Sequence, residues 1–173
     1  MARADTVAFT YDFSGSVTLL SPPPEVHLMG SATGEVSPFG AAQYADDAVT
    51  FFNHNPPDTV GTFTITFSGD DTLFGDLFET LLAPPDEAGN ATFNQVLTFT
   101  GGTGVFSGAT GLTSGIAHAN VITNLFNFSG TGTVTAPALT AVPEPTTMLL
   151  LGTGLAGVAA KARRGRKANR TTA

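Results

Sequence analysis

Few side chains in this sequence are of a type that does chemistry. Three histidines, His27, His54 and His118, are the groups that titrate nearest neutral pH when unperturbed. His27 shares a period-two face with Glu25, which turns it toward solvent. His54 sits in Asn53-His54-Asn55-Pro56, a turn sequence. His118 is in phase with Leu112, Ser114 and Ile116, which points it inward in a regular strand and makes it the candidate ligand contact. Three acidic pairs, Asp46-Asp47, Asp70-Asp71 and Asp86-Glu87, fall in expected loops. Oxygen-rich loops can hold Ca²⁺, but no EF-hand spacing surrounds these pairs, so they read as solvated turns and no cofactor is expected. No serine lies in a G-x-S-x-G elbow, and the absence of cysteine removes disulfides, thiolate metal sites and thiol chemistry. Gly102-Thr103-Gly104 is followed by three residues before Gly108, which fails the spacing of a dinucleotide-binding turn. The expectation is a body without a catalytic constellation.

Charge divides the chain. Of seven basic residues, six (Lys161, Arg163, Arg164, Arg166, Lys167, Arg170) lie near the C-terminus and the seventh is Arg3. Thirteen of the fourteen carboxylates lie between Asp5 and Glu87, so residues 4–142 hold no Lys or Arg. The net charge of −7 is thus the average of two opposite regions. An acidic body repels nucleic acid and anionic lipid and has no Lys or Arg for internal salt bridges.

The C-terminal region has three parts in strict order. Val142-Pro143-Glu144-Pro145 comes first, then the uncharged run Met148–Ala160, then the basic tail. Thirteen helical residues span roughly 20 Å against a hydrocarbon core of about 30 Å, short for a permanent anchor and adequate for a transient one. Positive residues stay cytoplasmic, so the body faces the opposite side. The expected organisation is a signal-peptide remnant or mis-assigned start at 1–4, a β domain at 5–136, a linker with the Pro-Glu-Pro motif at 137–145, a transmembrane sorting helix at 146–160 and a cytoplasmic tail at 161–173. Ala2-Arg3-Ala4 has the A-x-A form of a signal-peptidase site, the basis for the first of these.

This C-terminal order resembles the PEP-CTERM sorting signal of Gram-negative bacteria. The resemblance rests on Val142, Pro143, Glu144 and Pro145, on Met148–Ala160, and on the tail Lys161, Arg163, Arg164, Arg166 and Lys167. It implies an exosortase as partner, transient residence in the inner membrane, and removal of the hydrophobic tail. The destination implied is the cell surface or extracellular matrix, with exopolysaccharide or biofilm as the setting.

In the body the dominant period is two. Val7, Phe9, Tyr11 and Phe13 alternate with polar or small residues, as do Phe63, Ile65 and Phe67, and Phe126, Phe128 and Val134. Such segments are half-buried antiparallel strands. All fourteen phenylalanines fall in the body and tryptophan is absent, so Phe must supply most large core side chains. Ser21–Pro24, Asn55–Asp58, Ser68–Asp71 and Pro84–Asp86 read as turns between strands; Asp76–Leu82 reads equally as helix or strand. The fold class is all-β, a closed barrel or a sandwich.

The segment Thr100–Gly111 resembles the GGTG-x-F-x-GATG segment of allene oxide cyclase-like and dirigent-like proteins, which implies an eight-stranded antiparallel barrel. Its glycines, Gly101, Gly102, Gly104, Gly108 and Gly111, allow a tight bend and close backbone approach while Phe106 plugs the core. No catalytic residue of either family carries over. The leading expectation is a non-enzymatic, exported, exosortase-sorted barrel of the envelope or extracellular matrix. The alternatives are a small-molecule binder using the barrel interior, and a cyclase- or dirigent-type enzyme.

Overall fold

Period-two alternation through most of the body gives each strand an inner and an outer face, and eight such strands bury their inner faces by curling into a ring. The structure is a computed structural model that describes residues 4–137 and residue 139. Its strands are β1 (Asp5–Leu19), β2 (Glu25–Ser37), β3 (Gly40–Phe51), β4 (Asp58–Phe67), β5 (Thr72–Ala83), β6 (Asn90–Gly102), β7 (Thr110–Asn120) and β8 (Leu125–Ala136). Each pairs antiparallel with its sequence neighbour, and β8 pairs with β1 from Asp5↔Ala136 to Ser16↔Leu125. The body is therefore a closed up-and-down barrel; closure leaves no strand edge unpaired. The ambiguous Asp76–Leu82 is strand, within β5.

The expected turns sit between the strands. The connections at 20–24, 52–57, 84–89 and 121–124 gather at one end, here called the mouth. Those at 38–39, 68–71 and 103–109 gather at the other, with both ends of the described chain.

Inward positions at that second end are almost wholly apolar. Seven of the fourteen phenylalanines (Phe9, Phe13, Phe63, Phe67, Phe99, Phe106, Phe128) are buried. Three others, Phe52, Phe74 and Phe78, are exposed, so the expectation that Phe builds the core holds for the inward positions and not for all. Leu139 is also buried in this cluster, so the core continues past Ala136 into the segment expected to be linker.

The glycine-rich segment behaves as its composition requires. Thr103 leads into a single 3₁₀ turn, Gly104–Phe106, which returns the chain into β7. Gly104 has φ +59° and a side chain there would run into Asp71, so only glycine fits. The turn delivers Phe106 to within 5.1 Å of Phe39 and 4.9 Å of Phe67, centroid to centroid. Phe106 is thus a stopper at this end of the barrel. Phe106→Ala should cost about 3–5 kcal/mol of stability, the range for emptying a buried aromatic site. Ser107 is exposed, and Ser107→Ala should cost under about 0.5 kcal/mol. Urea denaturation of the two variants checks the difference.

Candidate functional site

The interior is not apolar throughout. Glu79 on β5 lies opposite Gln95 on β6, Gln95 opposite Gly115 on β7, Gly115 opposite Gly130 on β8, and Gly130 opposite Tyr11 on β1. These five residues form one row around the wall, and its two glycines leave a lane with no side chain. Tyr11 extends into that lane: a Cβ added at Gly115 or Gly130 would strike its hydroxyl. The hydroxyl lies 3.4 Å from Gln95 Oε1 and 3.4 Å from Thr113 Oγ1. Gln95 Nε2 donates to Glu79 Oε1 at 2.8 Å, which fixes the amide's orientation and leaves its oxygen for Tyr11. Thr113 Oγ1 also accepts from the Leu97 amide at 3.1 Å. The result is a connected polar strip across an otherwise aromatic interior.

A second carboxylate joins it. Asp46 on β3 points inward opposite Gly30 on β2, and the Gly30 amide donates to Asp46 Oδ1 at 2.6 Å. A side chain at position 30 would occupy the place of this carboxylate. Tyr44, two residues before Asp46 on the same inward face, is 2% exposed and packs against Phe128 at 4.7 Å. Its hydroxyl is buried without a hydrogen-bond partner. Asp46, the next inward residue on β3, interacts with this phenol, lowering the carboxyl and raising the phenol, although the pair falls short of regular hydrogen-bond geometry. Nearer the mouth, Thr50 and Thr59 face each other and close a buried hydroxyl pair at 2.8 Å.

Electrostatics follow from burial without counter-charge. Burial pushes the Glu79 carboxyl up from 4.5 to about 7; the Gln95 hydrogen bond opposes the rise and the Asp46 charge adds to it. Burial also raises Asp46, against the pull of Tyr44 and the Gly30 amide, with Asp47 adding to the rise. The Tyr44 phenol is held well above its usual value by burial, then by Asp46 and Glu79. Burial raises Tyr11 as well, partly offset by Thr113. Both carboxylates are nonetheless only part-buried. Tyr44, Gln95 and Leu77 around them are buried.

The residues expected to carry chemistry lie elsewhere. His118 is exposed on the outer wall with Leu112, Ser114 and Ile116, its Nδ1 3.1 Å from Thr92 Oγ1. The inward placement is corrected: Thr113 and Ala117 hold the inner face of β7, and the one-residue offset puts every even position outside. His27 is on the outer wall as expected, paired with Asp47. His54 is in the β3–β4 loop, 2.6 Å from Asp58 and stacked on Phe51. Asp70-Asp71 and Asp86-Glu87 are in connections, whereas Asp46-Asp47 is in the middle of β3, one acid inside and one outside. No group of three or more His, Cys, Asp or Glu gathers among the described residues. Asp46 and Glu79 were hidden in the sequence by different signals, an acidic pair read as a loop and a segment of uncertain period.

The sorting-signal residues Val142, Pro143, Glu144 and Pro145, the apolar run at 148–160 and the basic tail Lys161, Arg163, Arg164, Arg166 and Lys167 lie outside the described residues, as does the expected helix at 146–160. No helix among the described residues is long and apolar enough to cross a membrane. Comparison of the sequence with known families decides this region. Residues 141–164 match the PEP-CTERM protein-sorting motif. The chain thus carries the signal of an exported, exosortase-sorted protein, joined to an all-β barrel. No curated protein and no solved structure matches it.

The polar strip has a measurable signature. Between pH 4.5 and about 7 folded Glu79 keeps a proton that the unfolded chain has released. Because the folded state binds more protons there, stability falls as pH rises through that window. The loss should be at most about 3 kcal/mol, and less because solvent screens a part-buried group. Glu79→Gln removes the titrating group and should flatten this component, leaving only the general repulsion of an acidic chain. Urea denaturation at pH 5 and pH 7.5 for both proteins measures it.

Proposed function

We propose that this protein is sorted by an exosortase in the inner membrane of a Gram-negative bacterium. Its barrel is then displayed in the envelope or extracellular matrix without catalysing a reaction. The observation that carries this reading is the PEP-CTERM match at residues 141–164 on a chain whose body is a barrel. Removal of the hydrophobic tail would free the body, and the basic residues would hold the tail on the cytoplasmic side until then.

Packing supports a scaffold role. Phe9, Phe99, Phe67 and Phe106 pack the end of the barrel opposite the mouth. The outer wall is rich in uncharged hydrogen-bonding groups, among them Ser14, Ser16, Ser31, Thr33, Gln43 and Thr64, all exposed. Exposed Phe74 and Phe78 lie on the same outer surface. Hydroxyls, amides and aromatic faces are what a neutral polysaccharide chain can hydrogen-bond to and stack on, which favours exopolysaccharide as the matrix partner. Eight strands and an inward Phe106 also favour kinship of the body with allene oxide cyclase-like and dirigent-like barrels. Such kinship would carry no activity with it.

A second reading, a small-molecule binder, is favoured by two part-buried carboxylates, Asp46 and Glu79, on the inner wall.

Sorting separates into two elements that mutation can distinguish. In an exosortase-containing host, Glu144→Ala should block tail removal, seen as retained mass, while the protein still reaches the membrane. Deleting residues 161–173 should instead weaken membrane retention and orientation, seen by fractionation and protease accessibility. Normal processing in both variants would remove the sorting assignment.

A further inference from the structure

We infer that the mouth of the barrel binds a primary ammonium group carried on an apolar stem, with Asp46, Glu79 and Tyr44 as its oxygen partners. The inference rests on the binder reading and names its ligand class.

Three observations carry it. First, the two inward carboxylates face no cation among the described residues. Residues 4–142 contain no Lys or Arg, and all three histidines lie on the outer wall or in a loop. Each carboxylate has one oxygen held, Asp46 Oδ1 by Gly30 and Glu79 Oε1 by Gln95, which leaves its second oxygen unsatisfied by backbone or amide. Second, Tyr44 Oη is buried and without a hydrogen-bond partner, and the charged groups acting on it are Asp46 and Glu79. A buried hydroxyl left unpaired is costly unless something arrives to complete it. An ammonium carries three donors and no acceptor, which suits two carboxylates and a phenol oxygen. Third, beside the Thr50–Thr59 hydroxyl pair, the inward wall between this floor and the loops carries four apolar, half-buried side chains: Val17, Leu28, Phe93 and Phe126. They offer an alkyl or aryl stem a wall and give a cation two aromatic rings beside its path.

A divalent metal fits less well. Such an ion takes six or more hard oxygens, and no third carboxylate or histidine joins this pair among the described residues. The groups facing Glu79 set the pH response. They are Asp46 and Tyr44 from β3 and Tyr11 from β1; β6 contributes the neutral amide of Gln95, and the inward faces of β2, β4, β7 and β8 present no ionisable side chain. Protonation at this floor removes the anion that the ligand needs, so binding weakens as pH falls.

The test is calorimetric titration of the full chain in non-ionic detergent at pH 8 with hexylammonium chloride, hexanol and calcium chloride as separate probes. Hexylammonium should bind saturably, and hexanol about tenfold more weakly or not at all. The double variant Asp46→Asn/Glu79→Gln, which preserves shape and removes uncompensated charge, should lose at least about tenfold of the hexylammonium affinity. Tyr44→Phe should lose a smaller factor without altering the charge. Asp47→Asn, on the outer wall of the same strand, should change nothing. Affinity should fall several-fold between pH 8 and pH 5.5. Equal binding of hexanol and hexylammonium would overturn the ammonium inference and leave the binder reading standing. Calcium binding that displaces hexylammonium and is lost in the double variant would make this a metal site instead. Absence of binding by every probe would remove both readings.

Discussion

Closure of the ring is the constraint on which everything else depends. The β1–β8 ladder joins the first and last strands along almost their whole length. Without it, two long strands would expose unpaired amides and carbonyls, and the chain would have two sheet faces in place of an inside and an outside. With it, each residue's parity decides whether it meets the aromatic interior or water. Phe13, Tyr44 and Phe128 come from β1, β3 and β8 and meet in mutual ring contacts only because the sheet is closed.

The same closure makes the polar strip possible. A ring of eight strands cannot fill its centre with full-sized side chains at every inward position, so some positions must be small. At Gly30, Gly115 and Gly130 the missing side chains are replaced by functional groups from elsewhere, the Asp46 carboxylate in one case and the Tyr11 hydroxyl in the others. The barrel therefore trades hydrocarbon for a hydrogen-bonded chain running from Glu79 through Gln95 and Tyr11 to Thr113. Residues 4–142 hold no lysine or arginine, and among the described residues no cation pairs with these buried acids. Protonation and partial exposure are what make their burial tolerable.

Much of the architecture was legible one residue at a time. The alternation in 7–13, 63–67 and 126–134 marked the strands and their inward residues, because side-chain direction along a strand is a local property. The turns at 21–24, 55–58, 68–71 and 84–86 were legible because proline, glycine and aspartate act on their own backbone. Phe106 could be placed inward because it is the one large apolar group in a glycine-rich bend. Parity failed where a strand lacked a continuous apolar phase. On β7 the inward residues are Gly111, Thr113, Gly115, Ala117 and Ala119, smaller and no more apolar than the outward Leu112 and Ile116, so parity alone puts His118 on the wrong face.

The sequence alone determined the address, the all-β class, and the absence of positive charge from the body. Each is a matter of order, period or composition, and none requires knowing which strands meet. Tertiary structure alone decided that Asp46 and Glu79 share an interior, that Tyr11 reaches Gln95 across two glycines, and that the hydroxyl of Tyr44 is left unpaired. Those facts depend on the register between strands far apart in the chain. Register is set by closing the whole ring, so it belongs to no short segment that could have announced it.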